Sequence, residues 1–215
     1  MSPALMGSLA LSAYYGLFLC NRSPSLVRVV IKTGATALLT LWAWLAGGPS
    51  LLVAALALST LGDAFLGASE ERYLLPGMAA FFAAHAAYIV MFWGVAAPTH
   101  APLLLALQIA LAAATALFVR SLVPWIDKPM RIPVILYSAI ILAMGIAALR
   151  LRPDLWLAGA GALAFMTSDL ILSFELFRLK PDSPARKITS RFIWSLYYGG
   201  QALIAYAFIQ HGLTG

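Results

Sequence analysis

Ser59-Thr60-Leu61-Gly62-Asp63-Ala64-Phe65-Leu66-Gly67-Ala68-Ser69-Glu70-Glu71-Arg72-Tyr73 sets one acid, Asp63, inside a run that otherwise reads as the second half of a membrane-crossing helix. Burying a carboxylate in hydrocarbon costs several kcal/mol unless it is paired or protonated, so an acid retained there points to function. Met166-Thr167-Ser168-Asp169-Leu170-Ile171-Leu172 places a second acid in another apolar run. Two acids in like settings suggest one shared site.

The surrounding chain supports a membrane reading. Its 215 residues are 62% hydrophobic and 10% charged, with a mean hydropathy of +0.90, whereas soluble domains are about 25% charged. Apolar runs long enough to cross a bilayer as helices recur, and strict alternation is missing, so helices are favoured over a barrel. The expected fold is all-α: a single polytopic transmembrane bundle over residues 1–215, with eight spans near 4–20, 27–46, 50–68, 74–95, 102–121, 132–150, 155–177 and 188–210. Met1-Ser2-Pro3-Ala4 lacks the basic residues of a secretory leader, so the first run is expected to be retained. The single Cys20 excludes an internal disulfide and a multi-cysteine metal cluster.

Basic residues set the orientation. Arg22, Arg28, Arg72, Arg120, Lys128, Arg131, Arg178, Lys180, Arg186, Lys187 and Arg191 belong to the loops after spans one, three, five and seven, whereas the opposite loops hold only Arg150 and Arg152. Those odd loops are therefore expected to face the cytoplasm, as in an inner cell membrane. On this orientation Lys32, Asp63, His85, Tyr88, Tyr137, Asp169, Tyr197, Tyr198 and Gln201 all fall on the cytoplasmic side or near the midplane, where they can wall one polar cavity. Gly62-Asp63-x-x-Leu66 and Ser168-Asp169-x-x-Leu172 lie four spans apart, a spacing compatible with a four-plus-four parallel repeat.

Asp63 and Asp169 are the candidate catalytic groups. Facing one low-dielectric cavity, two carboxylates repel, leaving one protonated and one ionised: a general acid and a general base. The dull alternative is that each merely hydrogen-bonds within the bundle, or that one pairs with Lys32. His85 is the only histidine inside a span, with His100 and His211 in outer loops. One histidine and two aspartates only just supply the three ligands of a catalytic zinc, so acid–base chemistry without metal or other cofactor is preferred. Lys32 either snorkels to the surface or meets a phosphate or an aspartate. Glu70, Glu71 and Arg72 read as a solvated loop, and Glu175 with Arg178 as a surface pair. Gly-x-Ser-x-Gly, His-Glu-x-x-His and Walker patterns are missing from the sequence.

These residues fall into a recognisable series. It comprises Lys32; Leu61-Gly62-Asp63-x-x-Leu66; Ala80-Phe81-x-x-x-His85-x-x-Tyr88-Ile89; Tyr137 with Met144; Gly161-Ala162-x-x-Phe165-x-x-Ser168-Asp169; and Tyr197-Tyr198-x-x-Gln201-x-Leu203-Ile204. In this order the chain resembles the YhhN-like family of eight-span membrane proteins, whose characterised members are lysoplasmalogenases. It departs from the family pattern at Thr33, where proline is usual, and at Gly200, where alanine is usual. The first bears on the local helix start, and neither departure removes a reactive group. The resemblance implies Asp63 and Asp169 as active-site residues, with Lys32, His85, Tyr88, Tyr137, Tyr198 and Gln201 lining the pocket.

It also implies a lysophospholipid substrate, hydrolysed at the vinyl ether on the first glycerol carbon to a fatty aldehyde and a glycerophospho-alcohol. In that chemistry one aspartate protonates the alkenyl carbon and the other activates water, while Lys32 or arginines such as Arg72 and Arg131 hold the phosphate. The competing readings are a metal-dependent intramembrane ester or amide hydrolase, and a lipid-binding or transport protein that uses the acids as a proton relay.

Overall fold

The structure is a computed structural model and describes residues 2–68, 71–98 and 101–212. Glu70 and His100, both assigned to loops above, lie outside the described residues. Among the described residues there are eight α-helices: α1 Pro3–Tyr14, α2 Leu26–Leu45, α3 Ser50–Gly67, α4 Leu74–Gly94, α5 Pro102–Leu122, α6 Lys128–Ala148, α7 Trp156–Arg178 and α8 Arg186–Gln210. Seven of these are long and apolar enough to cross a membrane. The first is shorter, 12 residues continued by a five-residue π turn at Tyr15–Leu19. Together they just reach the length of about 17 residues at which spanning begins.

The observed ends follow local chemistry. Ser2 and Ser25 accept hydrogen bonds from the amides of Leu5 and Arg28 at the starts of α1 and α2, the usual work of an N-cap. The span start that differs most from the sequence expectation is that of α6, at Lys128 rather than near 132. Of the prolines read as breaks there, Pro129 lies in the first turn, where the amide has no intrahelical partner, and Pro133 sits inside the helix, where its missing amide removes one intrahelical bond.

Packing arranges six of the helices in a ring. α2 packs on α3, α3 on α4, α4 on α6, α6 on α7, α7 on α8, and α8 back on α2. The helix that opens each half of the chain stays outside, α1 against α2 and α5 against α6. Advancing by four helices turns α2, α3 and α4 into α6, α7 and α8 and leaves the ring order unchanged, the regularity expected of a four-plus-four repeat. α5 buries only Thr115 and Leu122, and Leu103, Leu105, Ile109 and Leu117 are exposed along it. Polar Asp63, His85, Gln201, Ser59 and Thr36 are instead fully buried. Apolar outside and polar inside is the order a lipid solvent imposes.

The two ends of the bundle are tied separately. At one, Asn21 donates to the Lys187 carbonyl at 3.1 Å and the Arg178 guanidinium lies 4.8 Å from the centre of the Trp125 ring. We call this the basic end. At the other, the Ala97 amide bonds to the Arg150 carbonyl and Arg152 pairs with Asp154 at 2.7 Å.

Backbone proximity holds α7 to α8. A Cβ built on Gly161 would lie 2.5 Å from the Gly200 carbonyl oxygen, and one built on Gly200 would lie 2.5 Å from that of Gly161. Gly199, the neighbour of Gly200, has nothing within 4 Å of such an atom. Gly200→Ala is therefore expected to destabilise the protein by about 1–3 kcal/mol through overpacking. Gly199→Ala should be neutral or slightly stabilising. Thermal unfolding of the two purified variants in one detergent checks the difference.

Candidate active site

Helix register decides which polar side chains turn inward. On α3, Asp63 has no exposed surface. Its Oδ1 lies 2.9 Å from Lys32 Nζ on α2, and its Oδ2 accepts the Tyr197 hydroxyl of α8 at 2.7 Å. On α7, Asp169 Oδ2 accepts the Tyr137 hydroxyl of α6 at 3.0 Å and lies 3.4 Å from His85 Nε2 of α4. Each acid thus takes one partner from the helix before it and a second from the last helix of the other half. Advancing four helices converts one set of partner helices into the other.

The imidazole carries a constraint on protons. His85 Nδ1 lies 2.7 Å from the Phe81 carbonyl. A carbonyl only accepts, so Nδ1 bears the hydrogen. A hydrogen bond between Nε2 and Asp169 then requires one further proton, held either by the carboxyl or by the ring. At 3.4 Å from Asp169 Oδ2, His85 Nε2 is close to the acid but makes no hydrogen bond.

An aromatic partition separates the two acids. The Phe165 ring centre is 4.7 Å from that of His85 and 5.2 Å from that of Tyr197, with Phe81 edge-on to both Phe165 and Tyr197. Phe81 sits where a Cβ on Gly62 would be, 2.5 Å from the ring. Glycine beside Asp63 thus lets the partition approach. One turn beyond Tyr197, Gln201 accepts the Tyr88 hydroxyl at 3.0 Å, and its own Nε2 has no protein partner.

A narrow crevice of ≈ 30 Å³ reaches Asp169 and Tyr137 from the basic end, between α3, α4, α6 and α7. Asp63 does not line it. Asp169 also keeps 6% of its surface exposed, against 0% for Asp63. Of the two acids, Asp169 is the one a ligand can touch.

Residues 27–208 match the YhhN family. The chain belongs to the YhhN family. It is similar to lysoplasmalogenase TMEM86A of Homo sapiens, 32% identical over 219 residues that cover 94% of this chain and 86% of the relative. Lysoplasmalogenase TMEM86A of Bos taurus is 31% identical with the same coverage. No solved structure matches.

In this YhhN chain the residues singled out by sequence divide into groups. Asp63 with Lys32, Asp169 with His85 and Tyr137, and Tyr88 with Gln201 all meet inside the ring. Tyr198 turns away from the acids: its hydroxyl bonds to Ser8 of α1 at 2.6 Å and its ring stacks on Trp194. The neighbouring Tyr197 is the one that reaches Asp63. Adjacent helical residues point about 100° apart, and the tandem tyrosines alone do not reveal which faces inward. The surface pair expected of Glu175 and Arg178 is not what forms. Glu175 is buried, accepts from Thr189 and Ser190, and pairs with Arg186 at 3.7 Å, while Arg178 stacks on Trp125. Arg186 also donates to the Glu175 and Leu179 carbonyls, so the end of α7 is capped from α8. Among the described residues, no three of His, Cys, Asp and Glu come together, so the donor set at Asp169 stops short of the three ligands a catalytic zinc takes.

Removing one member of a buried ion pair strands the other charge. Lys32→Met is expected to cost about 3–5 kcal/mol, and Lys32→Met with Asp63→Asn to recover much of that loss. Unfolding midpoints of the wild type, both single variants and the double variant form the cycle that checks it.

Proposed function

We propose that the chain is a lysoplasmalogenase, cleaving the vinyl ether at the first glycerol carbon of a choline or ethanolamine lysoplasmalogen to give a fatty aldehyde and a glycerophospho-alcohol. The observation that carries this reading is the 3.4 Å approach of His85 Nε2 to Asp169 at the base of a narrow crevice, in a chain similar to proteins of that name.

Vinyl ether hydrolysis begins with protonation of carbon, which is slow in water and needs a buried acid. The Asp169–His85 pair gives its proton to the alkenyl carbon farther from oxygen. The positive charge that develops is shared by the adjacent carbon and the ether oxygen. The faces of Phe165, Phe81 and Tyr137 suit such a cation, and the carboxylate left on Asp169 lies beside it. Water then adds to the charged carbon, passing a proton through the Tyr197 hydroxyl to Asp63. In the resulting hemiacetal the bond to the glycerol oxygen breaks. The glycerol oxygen takes up the proton held by Asp63, and the hemiacetal hydroxyl returns one to Asp169. Both acids are thereby restored. No step requires a cofactor.

This scheme divides the aspartates. Asp169 touches substrate, whereas Asp63, with both oxygens already engaged by Lys32 and Tyr197, acts through Tyr197. Lys32 is accordingly committed to Asp63, and the phosphate falls to cations at the basic end, among them Arg72 and Arg131. The bias of basic residues puts that end, and with it the site, on the cytoplasmic face of the cell membrane.

Purified protein should release aldehyde from a vinyl-ether lysolipid and leave the ester and saturated ether analogues intact. Asp169→Asn should lose activity by about 10²–10⁴-fold, the range for removal of a positioned acid. Tyr197→Phe should slow the reaction while Tyr198→Phe leaves it nearly unchanged. Wild-type aldehyde release from Asp169→Asn, or faster turnover of the ester, would overturn the proposal.

A further inference from the structure

Polar residues cross the first half of the ring in two layers. The layer nearer the basic end is the tie already described, Lys32 of α2, Asp63 of α3 and Tyr197 of α8. Four residues away on each of the same helices, one turn farther from the basic end, lie Thr36, Ser59 and Gln201. All three are fully buried. A fourth helix joins this deeper layer through the Tyr88 hydroxyl, which donates to Gln201 Oε1 at 3.0 Å.

The second half differs at the same depth. One turn beyond His85, Tyr137 and Asp169 come Ile89, Ile141 and Phe165, the last a ring of the partition. Apolar side chains suffice to pack a layer between helices. The polar layer beyond Asp63 therefore requires another reason.

Two of its groups have no protein partner. Thr36 donates to the Thr33 carbonyl at 3.1 Å, but Gln201 Nε2 and Ser59 Oγ are enclosed and unbonded. Hydroxyls elsewhere in the bundle bond to the carbonyl one turn back, as Thr60 does to Leu56, Thr115 to Leu111 and Ser138 to Val134. Ser59, directly before Thr60, does not. An unmade hydrogen bond is expensive in a low-dielectric interior, so two of them at one depth mark a place for a third group. That group must accept from an amide and exchange a hydrogen bond with a hydroxyl. Neither residue lines the crevice, so it must also be small. Water meets all three conditions, and buried waters ordinarily bond to about three such groups.

We propose that Gln201, Ser59 and the Tyr88 hydroxyl form a binding site for one internal water, and that this is the water the hydrolysis consumes, with Gln201 as its positioning residue. The site lies one turn, about 6 Å along the axis, from the level of Tyr197, to which the scheme hands that water's proton. The water's use in turnover rests on the hydrolase reading, whereas its binding does not.

Binding is read without turnover. X-ray hydroxyl-radical footprinting of the purified protein oxidises buried side chains that touch bound water, because the radical is made in place. After correction for the reactivity of the two rings, Tyr88 should be oxidised several times faster than Phe92, which is equally buried and stacked on it. Gln201→Leu should bring the Tyr88 rate down toward that of Phe92. Ser59→Ala adds a test of sign. With its hydroxyl bonded to water, the variant loses a hydrogen bond and its unfolding midpoint falls; in a dry layer the same change removes an unpaired group and the midpoint rises. Equal oxidation of the two rings, no change in Gln201→Leu, or a midpoint for Ser59→Ala that does not fall overturns the site.

Turnover of a vinyl-ether lysolipid tests the second part. Folded Gln201→Leu should lose about 10²-fold in kcat, the cost of misplacing a reactant by about 1 Å, with KM near the wild-type value. Unaltered kcat, or a loss confined to KM, overturns the role in turnover. A wild type that releases no aldehyde while Tyr88 is oxidised faster than Phe92 keeps the water site and loses the hydrolase.

Discussion

A carboxylate inside hydrocarbon has to be answered by another group, and this bundle is arranged around answering two of them. Each acid draws partners from two helices that are not neighbours in sequence: α2 and α8 for Asp63, α6 and α4 for Asp169. Lipid cannot substitute for those partners, because it offers no hydrogen bonds. The need to satisfy Asp63 therefore pulls α8 against α2 and closes the ring, and Asp169 binds α7 to α4 and α6 in the same way. Hydrophobic burial contributes little to this choice, since lipid tails are as apolar as leucine. Polar pairing and the close glycine contact between α7 and α8 select one arrangement among many that would bury similar area.

The same requirement explains which features are legible in sequence. Hydropathy, proline, glycine and the bias of basic residues place the spans to within a few residues, because bilayer thickness constrains every helix alike. Asp63, Asp169 and His85 stand out because a titratable residue in an apolar run has no cheap explanation. Rotation about a helix axis is harder to read. With every face apolar, a span carries no amphipathic stripe to say which side looks inward, so Tyr197 and Tyr198 are equivalent on paper and opposite in space. Contacts such as Ser8 with Tyr198, or Glu175 with Arg186 in place of Arg178, depend on how distant segments meet and leave no local trace.

The partition formed by Phe165 and Phe81 has a physical consequence for the two acids. Adjacent carboxylates with nothing between them would couple as one titrating pair. Here each has its own donors, and aromatic rings intervene. That separation is what an acid and a base working on one substrate require.

The departure from two-fold regularity is as informative as the regularity. Where Asp63 meets Lys32, Asp169 meets Tyr137; where Asp63 meets Tyr197, Asp169 meets His85. A lysine brings a full positive charge to one acid, and a phenol brings only a neutral donor to the other. A tyrosine cannot share a proton near neutral pH as an imidazole can. The two layouts are thus alike in backbone and unlike in chemistry. Asp63 is tied up in an ion pair and shut off from the crevice, and Asp169 is left beside an imidazole at the crevice's end. In the proposed reaction that asymmetry, rather than the presence of two aspartates, decides which carbon-protonating group the substrate meets.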